Sequence, residues 1–324
     1  MSTSRRDPEA LLRHLEWSVV RRLDGLLHGD YRTLFRGMGL DFADLREYQF
    51  NDDVRRIDWN VTARLNQPHV RQYQEDREVA AWFVVDHSPS VGFGSGSRSK
   101  QDRVTEFVTV IARLLTRHGN AIGLLVHGGA RTSVIAPRNG RRHLLHLTRV
   151  LDEPAQATAP RPRPGATHTD LSVPLRAAAL SIRRRSLVFV VSDFIGPPGW
   201  GSDLARLALR HEVIALRVHD PLESRLPDLG PVTLRDLETG EHLNVDTHDA
   251  AFRRRFEAAA LAREARVRGE LDAAQVDTLE LSTEEDLAAA VLRFADLRRA
   301  RSRLAGTGTL PAHLAATKPQ PEVR

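Results

Sequence analysis

Apolar residues recur with helical spacing at the start of this chain and then fall into short solid blocks, and that change of period outlines its organisation. Leu11, Leu12, Leu15, Val19, Leu23 and Leu26 form one stripe among Arg, Glu and Asp, which predicts a helix over residues 8–27 stopped by Gly29 and Asp30. Residues 31–79 lack a sustained period and are dense in paired charges and aromatics, as expected of short strands and ordered turns. From Ala81 onward, strand and helix alternate. Strands are predicted at 81–85, 121–126, 132–135, 186–191 and 213–218, the second and third joined as a hairpin through Gly128 and Gly129. Helices are predicted at 104–115, 141–151, 171–182 and 203–209. Strands with no polar face, separated by helices, imply an open, mainly parallel α/β sheet covered on both sides.

Beyond Pro221 the pattern predicts an edge hairpin over 232–245 turning at Thr239 and Gly240, a basic helix at 251–268 and a strand at 277–281. A last helix follows at 283–301, begun by a capping box of Ser282 and Glu285. This gives an N-terminal helix (1–30), a small arginine-rich accessory module (31–80), an α/β core (81–220), a C-terminal extension of that core (221–304) and a mobile tail (305–324).

A hydrophobic share of 41% and a mean hydropathy of -0.36 over 324 residues describe a soluble chain able to bury a substantial core. The absence of cysteine excludes disulfides, thiolate nucleophiles and thiolate metal sites. The polar start at residues 1–7 is followed by no apolar stretch of signal-peptide or membrane-span length, so a cytoplasmic protein without a transmembrane span is expected. The net charge of +5 is carried almost wholly by arginine, which suits acidic partners. Nucleic acid is disfavoured, because no helix-turn-helix, zinc knuckle or aromatic-basic platform stands out.

The chemistry concentrates after the first core strand. Asp86-His87-Ser88-Pro89-Ser90 begins where that strand ends, the place where open α/β sheets gather function. In a D-x-S-x-S turn the alternate side chains converge as one carboxylate and two hydroxyls, hard oxygens suited to magnesium. Two further loops offer oxygens: Thr169-Asp170 before a helix, and Ser192-Asp193 after the most hydrophobic strand. So few charged donors leave a divalent ion undercompensated, and an acidic residue from a partner would complete its shell. The same residues also suit plainer roles. Asp86 can cap a turn, Ser88 and Ser90 can bond local backbone, Thr169 can cap the next helix, and Asp193 can end its strand.

Taken in this order, Asp86, Ser88, Ser90, Thr169 and Asp193 resemble the metal-ion-dependent adhesion site of von Willebrand factor A domains. The resemblance implies a von Willebrand factor A-like (Rossmann-like) fold. It also implies Mg2+, with Mn2+ or Ca2+ as alternatives, held directly by Ser88 and Ser90 and, in at least one state, by Thr169, with Asp86 and Asp193 as outer acceptors acting mainly through water and Asp170 as a further neighbour.

The run GMGLDFADLREYQFNDDVRRIDWNVTAR at residues 37–64, followed by residues 70–75, resembles the signature of the domain-of-unknown-function 58 family. The likeness continues through Ser192-Asp193-Phe194 and Glu238-Thr239-Gly240. Asn51 stands where that signature usually has glycine, and Val91 where methionine is frequent. The family resemblance implies association with a MoxR-type AAA+ ATPase in complex assembly or maturation. Within the run, Arg46, Arg55, Arg56 and Arg64 have complementary partners in Glu47, Asp52, Asp53 and Asp58, with Tyr48 and Trp59 as packing anchors. A structural role for Asp58, Trp59 and Arg64 is favoured over an arginine clamp for phosphate or an acidic partner.

Catalysis finds less support. Residues 92–100 are glycine-rich but lack the spacing of a phosphate-binding loop, Ser88 lacks a nucleophile elbow, and His87 is expected to point away from the ion. The expectation is therefore a non-enzymatic adaptor that docks an exposed Asp or Glu of a client. The alternative is a metal-dependent hydrolase acting on phosphate or acyl substrates.

Overall fold

The structure is a computed structural model, and it describes residues 7–23, 44–48, 62, 67–72, 80–128, 131–153 and 169–304. Its centre is a six-stranded sheet. Numbered along the chain, the strands are β1 (Asp44–Glu47), β2 (His69–Gln72), β3 (Ala81–Asp86), β4 (Ile122–Gly128), β5 (Arg131–Arg138), β6 (Leu187–Ser192), β7 (Glu212–His219), β8 (Pro231–Arg235), β9 (His242–Asp246) and β10 (Asp277–Ser282). The central sheet runs β10-β7-β6-β3-β4-β5, with β5 alone antiparallel to its neighbour.

The helices are α1 (Pro8–Leu15), α2 (Lys100–Arg117), α3 (Arg141–Leu151), α4 (Ser172–Ser181), α5 (Trp200–Ala208), α6 (Ala250–Ala274) and α7 (Leu287–Leu304). Alternate strand residues serve opposite faces. Phe83, Val85, Phe189 and Val191 pack into one core with residues of α1, α2, α3 and α7; Trp82, Val84, Val188 and Val190 pack into another with residues of α4, α5 and α6. The expected open, mainly parallel sheet with helices on both faces is present. Phe83 stacks on Phe189 with ring centroids 4.9 Å apart, and Phe107 of α2 meets Phe189 edge-on at 5.9 Å. On the other face Gly123 stands opposite Trp82, and a Cβ there would lie 2.7 Å from the indole ring, so only glycine lets the ring lie across β4.

α1 opens on Asp7, whose carboxylate accepts the Glu9 amide, and continues through a wider turn at Glu16–Val20. The predicted stripe is the buried one: Leu12, Leu15, Val19 and Leu23 all enter the core. β1 and β2 pair antiparallel, placing Arg46 opposite Val70, whereas Arg55, Asp58, Trp59 and Arg64 lie outside the described residues.

Two local expectations are corrected. The hairpin of β8 and β9 is not an edge of the main sheet but a separate two-stranded sheet. The last helix begins at Leu287 rather than 283, because β10 keeps pairing with β7 as far as Ser282 and Thr283 then donates its amide to the His219 carbonyl. Asp286, accepting the Ala289 amide at 2.9 Å, caps the helix in place of the Ser282 and Glu285 box, and Glu285 pairs with Arg293 instead.

α6 is tied to the sheet by charge as well as packing. Arg217 of β7 grips Glu264 of α6 through both terminal nitrogens, at 2.8 and 2.5 Å. Burial pushes the Glu264 carboxyl up, but the Arg217 bonds and charge outweigh it and hold it below the usual carboxylate range. A carboxyl with a depressed folded pKa stabilises the fold above its unfolded value and loses that contribution as pH falls through the folded one. Glu264→Gln is therefore expected to cost roughly 1 kcal/mol near neutral pH. The difference from wild type should begin to shrink as pH falls through about 4.3, the unfolded value, and close only below the depressed folded one, measured as paired urea midpoints across pH.

Candidate metal centre

The strand order creates the site. The chain leaves β3, crosses through α2 to β4 on one side, and later returns through α4 to β6 on the other side of β3. The loops after β3 and β6 thus diverge, opening a crevice at the carboxyl edge of the sheet. Val85 pairs with Val191, so Asp86 and Ser192 end adjacent strands side by side. Ser192 donates its hydroxyl to Asp86 Oδ2 at 2.7 Å, while Asp86 Oδ1 accepts the Ser88 amide at 3.0 Å. That amide bond turns the chain so that Ser88 and Ser90 bring their hydroxyls to 3.0 Å from each other.

Thr169 enters from the segment before α4. Its hydroxyl does not cap that helix, which has no side-chain cap, and Asp170 just before it accepts the Ser172 amide at 2.9 Å. It donates instead to Glu238 Oε2 at 2.9 Å, while Glu238 Oε1 accepts the Ser90 amide at 3.1 Å. One carboxylate therefore spans two of the three loops. The chain at Gly196 passes close to this segment, since a Cβ at that position would sit 2.8 Å from the Thr169 carbonyl oxygen.

Asp193 follows β6 in a tight loop. Its Oδ1 accepts the Ile195 amide at 3.0 Å, and Phe194 adopts a left-handed φ of 57°. This conformation is costly for a bulky residue. It is held by the Phe194 amide bonding Ser192 Oγ at 2.9 Å and by the Phe194 ring packing on Trp200 at 5.0 Å. Asp193 Oδ2 accepts from Lys100, the first residue of α2, at 2.7 Å, and Lys100 also reaches Glu223 at 2.5 Å. The Lys100 side chain is fully buried. Burial pushes its pKa down, but Asp193 and Glu223 more than offset this and keep the ammonium charged. Glu223 is itself positioned by a reciprocal cap with Asp220, whose carboxylate accepts amides from Ser95 and Leu222 and the Thr283 hydroxyl.

The five anticipated residues come from three loops at the carboxyl edge of the sheet. Asp86, Ser88 and Ser90 are joined directly, Thr169 is linked to Ser90 by Glu238, and Asp193 lies near enough to Asp86 to act on its charge. Burial and the Asp193 carboxylate raise the Asp86 carboxyl to about 7, against the Ser192 and Ser88 bonds that lower it. Two buried carboxylates in mutual repulsion, beside three hydroxyls, make a donor set that a small divalent cation would relieve. Each carboxylate oxygen retains acceptor capacity for water beyond its one protein bond. Among the described residues, no three His, Asp or Glu side chains form a metal-holding group. His87 does face away, its Nε2 accepting from the Gln101 amide at 2.9 Å as a neutral ring whose pKa burial drives down to about 4.

Three participants escaped the sequence pattern, Lys100, Glu223 and Glu238, while Ser192 was marked there only as a neighbouring oxygen. Lys100 carried a usable signal, since it is one of two lysines among 47 basic residues. A compact ammonium suits a buried point-charge position better than a guanidinium fork. Glu238 sits in the Glu238-Thr239-Gly240 turn already noted, but nothing local to that turn indicates where it reaches.

An open, mainly parallel α/β sheet with a hydroxyl-rich crevice between diverging loops is the class that fold and site define. The chain belongs to the family described as "Protein of unknown function DUF58", which matches residues 44–266. It is 40% identical over 302 residues to the uncharacterized protein Rv1480 of Mycobacterium tuberculosis, covering 93% of each chain. It is 38% identical to the uncharacterized protein MAV169 of Mycobacterium avium over 172 residues, 53% of this chain and 97% of that one. Among solved structures it is similar to the conserved hypothetical protein BatB from Bacteroides thetaiotaomicron, with a TM-score of 0.46, 13% identity and coverage of 68% of this chain and 98% of that one. The SpRpn10 VWA domain aligns with a TM-score of 0.35, 13% identity and coverage of 66% and 93%. Among the described residues no helix is long and apolar enough to cross a membrane.

Proposed function

We propose that this protein is a non-enzymatic interaction adaptor that docks an acidic side chain of a partner on a metal ion held by Asp86, Ser88, Ser90, Thr169 and Asp193. What supports this reading is the meeting of three loops at the carboxyl edge of the sheet, where the Ser88 and Ser90 hydroxyls lie 3.0 Å apart, Glu238 links Ser90 to Thr169, and Asp86 is bonded by Ser192 next to Asp193. Mg2+, or Mn2+ or Ca2+ in its place, would supply a positive centre to which a partner's carboxylate binds. Ser88, Ser90 and Thr169 would ligate it directly. Asp86, fixed by Ser192, and Asp193, fixed by Lys100 and the Ile195 amide, would orient its waters.

Hydrolysis has less support, because the bonds of its candidate bases order loops: Asp193 holds the Ile195 amide and the Lys100 ammonium, Asp86 the Ser88 amide and the Ser192 hydroxyl, and Asp170 the Ser172 amide. Turnover of a phosphate or acyl ester by the purified protein, abolished in Asp193→Ala, would overturn the adaptor reading. The family resemblance supplies the candidate companion, a MoxR-type AAA+ ATPase acting with the adaptor in the cytoplasm to assemble or mature a client complex.

The test is affinity capture from source cells with wild type and Ser88→Ala/Ser90→Ala protein, first in Mg2+ and then in chelator. Wild type is expected to retain a MoxR-type ATPase or an acid-bearing client in Mg2+ and to release it in chelator, with the double variant retaining neither. A folded double variant that keeps every partner overturns the reading.

A further inference from the structure

The hairpin that carries Glu238 is built unlike the rest of the chain. β8 and β9 pair only with each other, and a lone two-stranded ribbon is marginally stable without further support. Most of its residues are exposed or half-buried, Leu243 among the exposed. Its base is clamped by Thr247, whose amide and hydroxyl both donate to the Gly230 carbonyl at 2.9 and 2.8 Å and whose hydroxyl oxygen accepts the Leu229 amide at 2.8 Å. Its tip is shaped by Asp236, whose carboxylate accepts the Glu238 and Thr239 amides at 2.8 and 3.1 Å, and whose carbonyl accepts the Gly240 amide at 2.9 Å. Gly240, at a φ of 76°, completes the turn. The result is a preformed tip presenting one carboxylate, and that carboxylate lies on Ser90 and Thr169, 148 and 69 residues away in sequence.

We propose that Glu238 is the site's internal ligand: the hairpin places the chain's own acidic side chain where a partner's Asp or Glu would dock, and the partner enters by displacing the hairpin tip. The inference rests on the docking function proposed above and names the competing group. The acceptor that bridges Ser90 and Thr169 is a carboxylate, the chemistry expected of the partner. It arrives on an arm held at its base by Thr247, so the tip can lift while the ribbon stays attached. The external partner is accordingly an acidic side chain on an exposed turn able to enter the same crevice. Its apparent affinity is reduced by the fraction of molecules in which Glu238 is already seated.

The experiment uses the full chain as wild type, Glu238→Gln and Glu238→Ala, with Mn2+ alone and with acetate as a free carboxylate. Hydrogen exchange across 231–246 is read with and without Mn2+, and Mn2+ affinity is titrated by electron paramagnetic resonance. In wild type, Mn2+ is expected to slow exchange in the hairpin. Glu238→Gln speeds hairpin exchange and abolishes the metal effect. Glu238→Ala binds Mn2+ more weakly, and acetate restores its affinity while leaving wild type unchanged.

Hairpin exchange in Glu238→Gln equal to that of wild type overturns the proposal, even when Mn2+ binds, and leaves the docking function standing. Faster hairpin exchange with no acetate effect on Mn2+ binding overturns the ligand role and reduces Glu238 to a strap. Absence of Mn2+ binding in all three proteins overturns the metal reading itself, and with it Glu238 as a metal-site ligand, whatever the hairpin does.

Discussion

Lys100→Met is expected to destabilise the protein by about 3–5 kcal/mol, the usual cost of leaving one member of a buried ion pair without its partner. The side chain is fully buried between Asp193 and Glu223, so methionine keeps most of the volume and removes only the charge. Asp193 would then face Asp86 with no cation beside it. Equilibrium unfolding in denaturant measures the loss. Lys100→Met/Asp193→Asn should recover part of it, with a coupling energy of roughly 1–3 kcal/mol, because the double variant no longer buries the uncompensated carboxylate of Asp193. Lys100→Arg should not rescue, since a planar fork does not fit a closed pocket shaped to a point charge. A Lys100→Met protein as stable as wild type would mean that Asp193 is not held by this ammonium, and the ordered loop after β6 would need another explanation.

The same residue shows where sequence reading stops. β3, β6 and β7 were legible because their runs carry no polar face, and such runs fit only a sheet covered on both sides. The three hydroxyls and two carboxylates of the proposed site stand out in the sequence because each follows or precedes a recognisable element. Lys100 and Glu238 were not, since their bonds join residues 93 and 148 positions apart and exist only once the sheet has closed. A glycine-rich stretch ending in lysine reads locally as a loop, while in the fold its last residue is the start of α2 and a buried counter-ion. The start of α7 was misplaced for a similar reason. Ser282 has the composition of a helix cap, but parallel pairing with His219 keeps it in β10.

The proposed metal role makes a separate thermodynamic demand. A ligand that binds only the folded state stabilises it by about 2.7 kcal/mol at one hundred times its dissociation constant. Mn2+ or Mg2+ at that excess is therefore expected to raise the unfolding midpoint of wild type by several degrees, measured by calorimetry against a chelated sample. Ser88→Ala removes one hydroxyl of the 3.0 Å pair with Ser90 and leaves the Ser88 amide on Asp86 intact. Its cost without metal should be about 1 kcal/mol, a single hydrogen bond, whereas the metal-dependent increment should vanish. That asymmetry separates the two roles of the loop. A hydroxyl serving only to order the turn gives the same deficit in metal and in chelator, and a ligand gives a deficit that grows with metal concentration. Thr169→Val should follow Ser88→Ala, although Thr169 lies on a different loop and is linked to Ser90 through Glu238. A metal response that survives both substitutions would place the ion elsewhere and leave Asp86 and Asp193 as a buried pair that Lys100 alone must compensate.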